Sequence, residues 1–448
     1  MFERVALFRA FASNRERLGL WHARLQTSLV ILTFAAIGLL CLIVLTKPFF
    51  LGSDSAHHYA HVWYISDQLF HHARFPLHIR FLESGKALAF PYAVVPYLVT
   101  ALPYTVLGDR AVTIAIVAGF AFYGYAATRA RPALRDPRLL TLIYVNSFLI
   151  EGLLSFQFAF LWACGFFFMC VEAVDRRRWV AAAVWAVLAV TTHPVVGAVA
   201  VAGYTLFAVI RRPRDSLPLL SAMAVAALVV LPYALYTRTT PSVATTPTEH
   251  IWGTLRYMAR FRGTEIALPF IVSILAGVLR PLLLPAFAAM AVTFGVRLDG
   301  KHVNVYGLKH NASPFYGEFI RSPEFDKSLT YRVLEPNDRE DGAYQLIRNG
   351  AVLGQEFFDQ SQFRLWWDTP EMYACFLGAK KIDVVLLEKD YIPKFNRNEH
   401  TRLAEFEQQG KARVIYRDPA GRFTAYDVRD ARTEGATLDD CRIFAHRK

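Results

Sequence analysis

From Ser28 to Phe50 the chain reads SLVILTFAAIGLLCLIVLTKPFF, and from Leu51 to His61 it continues LGSDSAHHYAH. The first stretch is long enough to cross a bilayer, which takes about 20 apolar residues. An acid and three histidines therefore follow directly beyond a membrane edge. Ser53 or Asp54 suits a helix N-cap. A helix starting there carries Asp54, His57, His58 and His61 on one face, because residues three, four and seven apart align. That position makes Asp54 a candidate general base or substrate-orienting carboxylate; the plainer alternative is a helix cap. With Asp54 the three histidines are also a possible divalent-metal set, His at i and i+4 being a workable ligand pair. Contact of an interfacial helix with anionic headgroups explains them equally simply, and His71 and His72 continue that surface.

The chain has 448 residues, of which 54% are hydrophobic, and a net charge of +12. The apolar residues are segregated. Residues 28–296 are mostly apolar runs separated by short polar or Arg-rich breaks, whereas 297–448 reads as a soluble domain of ordinary size. Arginine excess beside spans is a mark of membrane topology, so the charge gives no reason to invoke nucleic acid. Residues 1–27 carry Arg4, Arg9, Arg15, Arg17 and Arg24 ahead of a run too long for a signal-peptide core, and read as a cytoplasmic start followed by a signal anchor. Five cysteines exclude a disulfide scaffold. Cys375 and Cys441 fall in the soluble part, where they can pair in an oxidising compartment or remain thiols.

Three Arg clusters orient the spans: Arg129 to Arg138, Arg176 to Arg178, and Arg211 to Arg214. All are expected on the cytoplasmic side. A hairpin of two short spans is expected between the first two, with an outer turn near Asn146 to Gln157 that contains Glu151. A second hairpin is expected to turn at Thr191-Thr192-His193-Pro194, since Pro disfavours helix at its predecessor. Ala87 to Gly108 carries three prolines and is expected to lie in the interface, completing a first outer loop over 51–110. Ile266 to Val296, broken at Arg280-Pro281, is expected as two short spans that leave the last domain outside; one tilted span leaves it inside. That domain shows strand-like runs at Tyr331–Leu334, Ile382–Leu387, Arg413–Tyr416 and Phe423–Val428. Helical stretches at Glu371–Ala379 and His400–Gln409 complete an α/β or α+β layer.

Further candidates lie on the outer side. Glu151 is an ionisable residue in an otherwise uncharged hairpin, and such residues default to a functional reading. His193 tops the next hairpin. Arg80 and Lys86 in the first loop, and Arg256 and Arg260 in a later one, depart from the positive-inside expectation. An anionic ligand at the membrane edge accounts for them, guanidinium being suited to phosphate; anionic headgroups are the alternative. Asp54, Glu151 and His193 come from three outer turns and are expected to converge within about 15 Å around one pocket.

These features together resemble the GT-C superfamily of membrane glycosyltransferases, closest to bacterial members of unassigned substrate. The resemblance rests on Gly52-Ser53-Asp54-Ser55-Ala56-His57-His58, Phe75-Pro76, Phe90-Pro91-Tyr92, Pro96-Tyr97 and Leu107-Gly108-Asp109 in the first outer loop. It extends to the hairpin from Asn146 through Glu151 to Gln157, and to Tyr331-Arg332-Val333-Leu334, Ser361-Gln362-Phe363-Arg364 and Ile382-Asp383-Val384-Val385 in the last domain. It implies a GT-C-like polytopic helical fold and inverting transfer from a polyprenyl-phosphate-linked sugar on the extracytoplasmic side. The acceptor would be a glycan, lipid or protein. By matching position, Asp54 is the first-loop acid and Glu151 the second-loop acid; Arg80, Lys86, Arg256 and Arg260 would face the donor phosphate. The sequence departs from the pattern in having histidines where a second first-loop acid is often found. Rival readings are a transporter or flippase of lipid-linked intermediates, which calls for charges buried mid-span, and a non-catalytic membrane assembly protein.

Overall fold

The first helix, α1 (Phe2–Thr46), stops where Lys47-Pro48 begins, because a residue preceding proline is driven out of helical geometry. The computed structural model describes residues 2–52, 55–90, 92–144, 147–240, 306–309, 316–335, 341–354, 369–389, 399–438 and 440–441. After α1 come α2 (Ser55–Phe70), α3 (Val94–Leu107), α4 (Asp109–Ala130), α5 (Pro137–Tyr144) and α6 (Ser147–Leu154). Then follow α7 (Phe158–Asp175), α8 (Trp179–Thr192), α9 (Pro194–Arg211) and α10 (Ser216–Thr239). Among the described residues five helices are long and apolar enough to cross a membrane: the Arg24–Thr46 part of α1, α4, α7, α9, and α10 with the turn before it. The apolar α3 and α8 are shorter.

Between the first two Arg clusters the chain turns between α6 and α7, inside the expected range of Asn146 to Gln157. The first leg is two eight-residue helices, α5 and α6, and only α7 reaches span length. Glu151 falls in the backbone of α6 rather than in a turn, and its side chain lies outside what is described. The break at His193-Pro194 is where expected. The His193 side chain caps α9 by accepting from the Val196 N–H, and Pro194 occupies the first helical position, where its missing donor costs nothing. The region 241–305, with the expected spans around Arg280, lies outside the described residues.

The three Arg clusters meet at one end of the bundle. Glu172, nearly buried, receives Arg129 and Arg176 at 3.0 Å each. Asp175 pairs with Arg131 at 2.6 Å and Arg212 at 3.2 Å, and Asp215 pairs with Arg177 at 3.1 Å. The opposite end gathers the loop between α1 and α4. There the Ala93 N–H donates to the Thr192 carbonyl at 2.8 Å, and the Tyr233 hydroxyl donates to the Phe90 carbonyl at 3.3 Å. Tyr236 donates to the Leu77 carbonyl. The start of α3 is thereby fixed against the end of α8, with Ala93 held at a left-handed φ of 58°, a conformation uncommon for a residue with a side chain.

The terminal part forms a five-stranded sheet of β1 (Thr330–Leu334), β2 (Val352–Leu353), β3 (Val384–Glu388), β4 (Arg413–Arg417) and β5 (Phe423–Asp427). The strand order is β2-β1-β3-β5-β4. β1 runs parallel to both β2 and β3, whereas β5 is antiparallel to β3 and β4. The helical pieces are α11 (Tyr306–Lys309), α12 (Tyr316–Arg321), α13 (Asp341–Arg348), α14 (Pro370–Ala379) and α15 (Glu399–Gln408). The strands expected from their apolar β-branched runs are present to within two residues, as are α14 and α15. The two-residue β2 and the helix α13 were not read from the sequence. Alternate residues of β1 and β3 enter two cores: Tyr331, Val333, Val384 and Leu386 join α13, while Leu334 and Val385 join α14 and α15. Both faces are covered, as parallel strands require. Arg332 reaches the second face, where it pairs with the fully buried Glu399 and lies 5.1 Å over the Phe376 ring.

The first of these cores is shared with the membrane part. Tyr344 of α13 stacks on Phe49 at 5.2 Å and meets Tyr59 of α2 at 5.7 Å. Polar contacts close around that seam. Asp109, at the start of α4, accepts from the Tyr104 hydroxyl at 2.9 Å, the Tyr344 hydroxyl at 2.5 Å and Arg348 at 2.8 Å. Lys380 pairs with Glu83, Lys47 donates to the Gly307 carbonyl, and the Leu353 N–H donates to the Phe81 carbonyl at 2.9 Å. A carboxylate with three donors from two modules holds them together more strongly than an exposed ion pair. Removing it strands the donors at a cost of about 1–3 kcal/mol. Asp109→Ala is therefore expected to lower the midpoint of thermal unfolding and to speed hydrogen exchange in α13. Arg348→Ala, which removes a half-exposed partner, should do less. Unchanged exchange in Asp109→Ala would show that the apolar seam alone holds the domain.

Candidate functional site

The end of α1 is drawn onto the α6–α7 turn by a glycine. A side-chain carbon at Gly52 would stand 2.7 Å from the Phe156 Cβ and 2.8 Å from the Ser155 carbonyl carbon, so only glycine allows this approach. Ser55 then starts α2, its hydroxyl bonded to the Gly52 backbone at 2.9–3.0 Å. Ser53 and Asp54 lie outside the described residues. Their flanking residues, Gly52 and Ser55, are buried where the loop after α1 meets the α6–α7 turn.

One turn into α2 the histidines are buried. His57 and His61 are wholly buried and His58 is 1% exposed. The His57 ring lies 4.0 Å from that of His61 and 5.3 Å from that of His58. The reading of a histidine face toward lipid headgroups is therefore corrected for these three: the polar face of α2 turns inward, because its neighbours supply partners. His58 Nδ1 is 2.6 Å from the Tyr97 hydroxyl. His61 Nδ1 is 2.6 Å from the His57 carbonyl; a carbonyl only accepts, so that nitrogen carries the proton and Nε2 is left as an acceptor. Among the described residues His61 Nε2 and the Thr192 hydroxyl have no hydrogen-bond partner. His71 and His72 are exposed, as an interfacial position requires, and sit 3.3 and 3.4 Å from Asp67.

His193 joins this group through an aromatic bridge. Tyr92 stacks on His193 at 5.8 Å with an 8° interplanar angle, and it also meets His57 at 5.3 Å and His58 at 6.0 Å. Phe156 and Phe158 of the α6–α7 turn lie 6.2 and 5.4 Å from His58. The first loop, the α6–α7 turn and the α8–α9 turn thus share one centre. Arg80 and Lys86 stand exposed on a loop closed by the antiparallel Ile79–Leu88 bridge. Arg256 and Arg260 lie outside the described residues. Among the described residues no group of three or more His, Cys, Asp or Glu side chains is arranged to hold a metal ion; the Asp54 member of the expected set is outside them. Thr192 was not singled out from the sequence, and the Tyr97–His58 bond spans 39 residues, a separation that no local pattern reports.

No family model matches the chain, and no curated protein matches its sequence.

Burial sets the proton affinity of the histidines. Removal from water lowers His57 and His58 well below 6.5, with neighbouring imidazoles adding to the effect, and it lowers His61 to about 4. The unfolded chain therefore binds more protons than the folded one below pH 6.5. Stability is complete above that pH and falls as the pH drops toward 4, by at most about 1.4 kcal/mol per histidine per pH unit. Thermal unfolding of the detergent-solubilised protein should show a lower midpoint at pH 5 than at pH 7.5. His61→Gln should flatten the dependence, and a pH-independent midpoint in the wild type would mean that these rings are solvated.

Proposed function

We propose that the chain is a GT-C-like membrane glycosyltransferase that moves a sugar from a polyprenyl-phosphate donor to an acceptor hydroxyl outside the cytoplasm. The observation that carries the reading is the convergence of the α2 start, the α6–α7 turn and His193 at the end of the bundle opposite the Arg clusters. Asp54 is two residues after Gly52 in sequence, and Gly52 lies at this centre next to the end of the span-length part of α1, where a lipid-borne substrate would present its reactive end. Support for a lipid-linked donor comes from an apolar cavity of about 580 Å³ along α8, α9 and α10, lined by Val190, Ala198, Ala202, Ala227, Val230 and Ala234. The carboxylates of the five span-length helices are Asp109, Glu172, Asp175 and Asp215, all at helix ends. Among the described residues, these five helices therefore offer a flippase pathway no mid-span carboxylate.

In this reading the acceptor oxygen attacks the anomeric carbon from the face opposite the donor phosphate. The carbon–oxygen bond to the phosphate breaks, the configuration inverts, and polyprenyl phosphate leaves with the bonding pair. Asp54 takes the acceptor proton, which requires about 2.6–3.2 Å between the oxygens. Arg80 and Lys86, with Arg256 and Arg260, offset the charge developing on the phosphate. Tyr92 and His193 wall the site on the side of α8.

The orientation belongs to the same proposal. Arg clusters mark the cytoplasmic end, which leaves the first loop and the terminal domain outside. The Cys375–Cys441 disulfide suits an oxidising compartment. In intact cells an impermeant thiol reagent should label these two cysteines only after reduction, and should miss Arg177→Cys until the membrane is opened. Labelling of Arg177→Cys in sealed cells would reverse the orientation.

Asp54→Asn tests the chemistry. Asn caps helices nearly as well as Asp, so the variant should insert and fold. Loss of a general base lowers rates by about 10²- to 10⁴-fold, and transfer from a polyprenyl-phosphate sugar should fall accordingly. Full transfer activity in folded Asp54→Asn would remove the role assigned to this acid.

A further inference from the structure

The apolar cavity along α8, α9 and α10 has a second end that the proposed reaction does not use. On α9 its lining runs Ala198, Val201, Ala202, Thr205, Leu206 and Val209, the three- and four-residue spacing of one helix face. The next position on that face is Arg212. On α8 the lining residue Ala186 is preceded two turns earlier by Trp179 and by Arg178 at the N-cap. On α10 the lining runs from Leu220 to Ala234, a length of about 20 Å at a helical rise of about 1.5 Å per residue. Leu206, Leu220 and Leu231 are exposed, so the cavity is a trough open along its side rather than a closed void.

The turns at this end carry more positive charge than their own acids neutralise. Asp215 takes Arg177, and Asp175 is shared by Arg131 and Arg212. The Arg177–Asp215 pair also brings the α7–α8 turn beside the α9–α10 turn. Arg178, Arg211 and Arg214 stand exposed on those two turns and pair with no carboxylate among the described residues. Arg211 lies 5.8 Å over the Phe207 ring, which holds its guanidinium against the last turn of α9. An apolar trough alone accepts any hydrocarbon chain, and guanidinium groups alone accept any phosphate. A trough that ends on unneutralised guanidinium groups selects a molecule with both parts, a lipid whose headgroup is negative. Basic pockets between membrane helices are the usual form of such a site. A zwitterionic headgroup carries its own ammonium, which the surplus arginines repel.

We propose that this end of the trough binds an anionic phospholipid. Its phosphate meets Arg178, Arg211 and Arg214, and one acyl chain lies along Thr205, Val209, Leu220 and Met223. An acyl chain spans half of the hydrocarbon core, about 15 Å, so the trough is long enough to take it whole. The site does not depend on the transferase reading, in which the donor phosphate meets Arg80 and Lys86 at the opposite end of the bundle.

The test is native mass spectrometry of the full-length protein with dioleoylphosphatidylglycerol and dioleoylphosphatidylcholine, which share their chains and differ in headgroup charge. The protein should retain the phosphatidylglycerol in preference, by about tenfold, as expected where several basic side chains act together. The triple variant Arg178→Gln, Arg211→Gln, Arg214→Gln should lose that preference, whereas Arg238→Gln, at the other end of α10, should keep it. Ala202→Phe and Ala227→Phe fill the trough from exposed positions, so they should fold, with an unchanged unfolding midpoint, yet retain less phosphatidylglycerol. Equal retention of the two lipids by the wild type, a preference unchanged in the triple variant, or retention unchanged in both trough variants would overturn the proposal. So would full displacement of the lipid by equimolar glycerol phosphate, which would show an anion site that makes no use of the trough.

Discussion

Tyr59 is the point on which the end of the bundle opposite the Arg clusters turns. It is wholly buried, and its hydroxyl accepts from the Phe50 N–H at 3.1 Å and lies 2.6 Å from the Thr113 hydroxyl. Its ring touches Phe49, Phe156 and Tyr344 at 4.2, 5.2 and 5.7 Å. One side chain thereby joins the end of α1, the helix α2, the span α4, the α6–α7 turn and the terminal domain. Aromatic side chains bury large areas and tolerate several ring geometries, which suits a junction where five elements arrive at different angles. Without this junction the histidines of α2 would lose the neighbours that keep them dry.

The dryness has a chemical consequence. A neutral imidazole donates from one ring nitrogen and accepts at the other, and its partners determine which does which. The His57 carbonyl fixes the tautomer of His61, and Tyr97 fixes the orientation of His58. Charge is thus withheld from the buried face of α2. In the proposed reaction positive charge comes from Arg80 and Lys86, exposed on a separate loop.

The terminal domain is fastened rather than tethered. Its first core runs without interruption into the first loop, and Asp109, Glu83 and Lys47 add polar ties from three places along the membrane part. Helix α13 carries both functions. One side packs against the sheet, and Tyr344 and Arg348 reach α2 and α4. Any event at the carboxyl edge of β1 and β3 is therefore one helix away from the histidine centre.

Much of this was legible from residues 28–61 and from composition. Apolar run length fixes the spans because backbone in lipid must satisfy itself internally. Arg clusters, the His193-Pro194 break and the β-branched strand runs are local signals with local causes, and each lies close to where the sequence puts it. The long-range pairings were not legible. Tyr97 on His58, Tyr92 on His193 and Asp109 on Arg348 join residues tens to hundreds of positions apart, and no spacing encodes them. The inward turn of the histidines depended on those partners, since a polar face of a helix meets water or protein according to what packs beside it. The two-residue β2 became a strand only by pairing with β1, and Gly52 showed its necessity only once Ser155 and Phe156 stood against it. The sequence by itself determined which segments are apolar, where helices break and which end carries the basic charge. The tertiary structure decided which polar groups share a centre, because that depends on contacts made after the helices have packed.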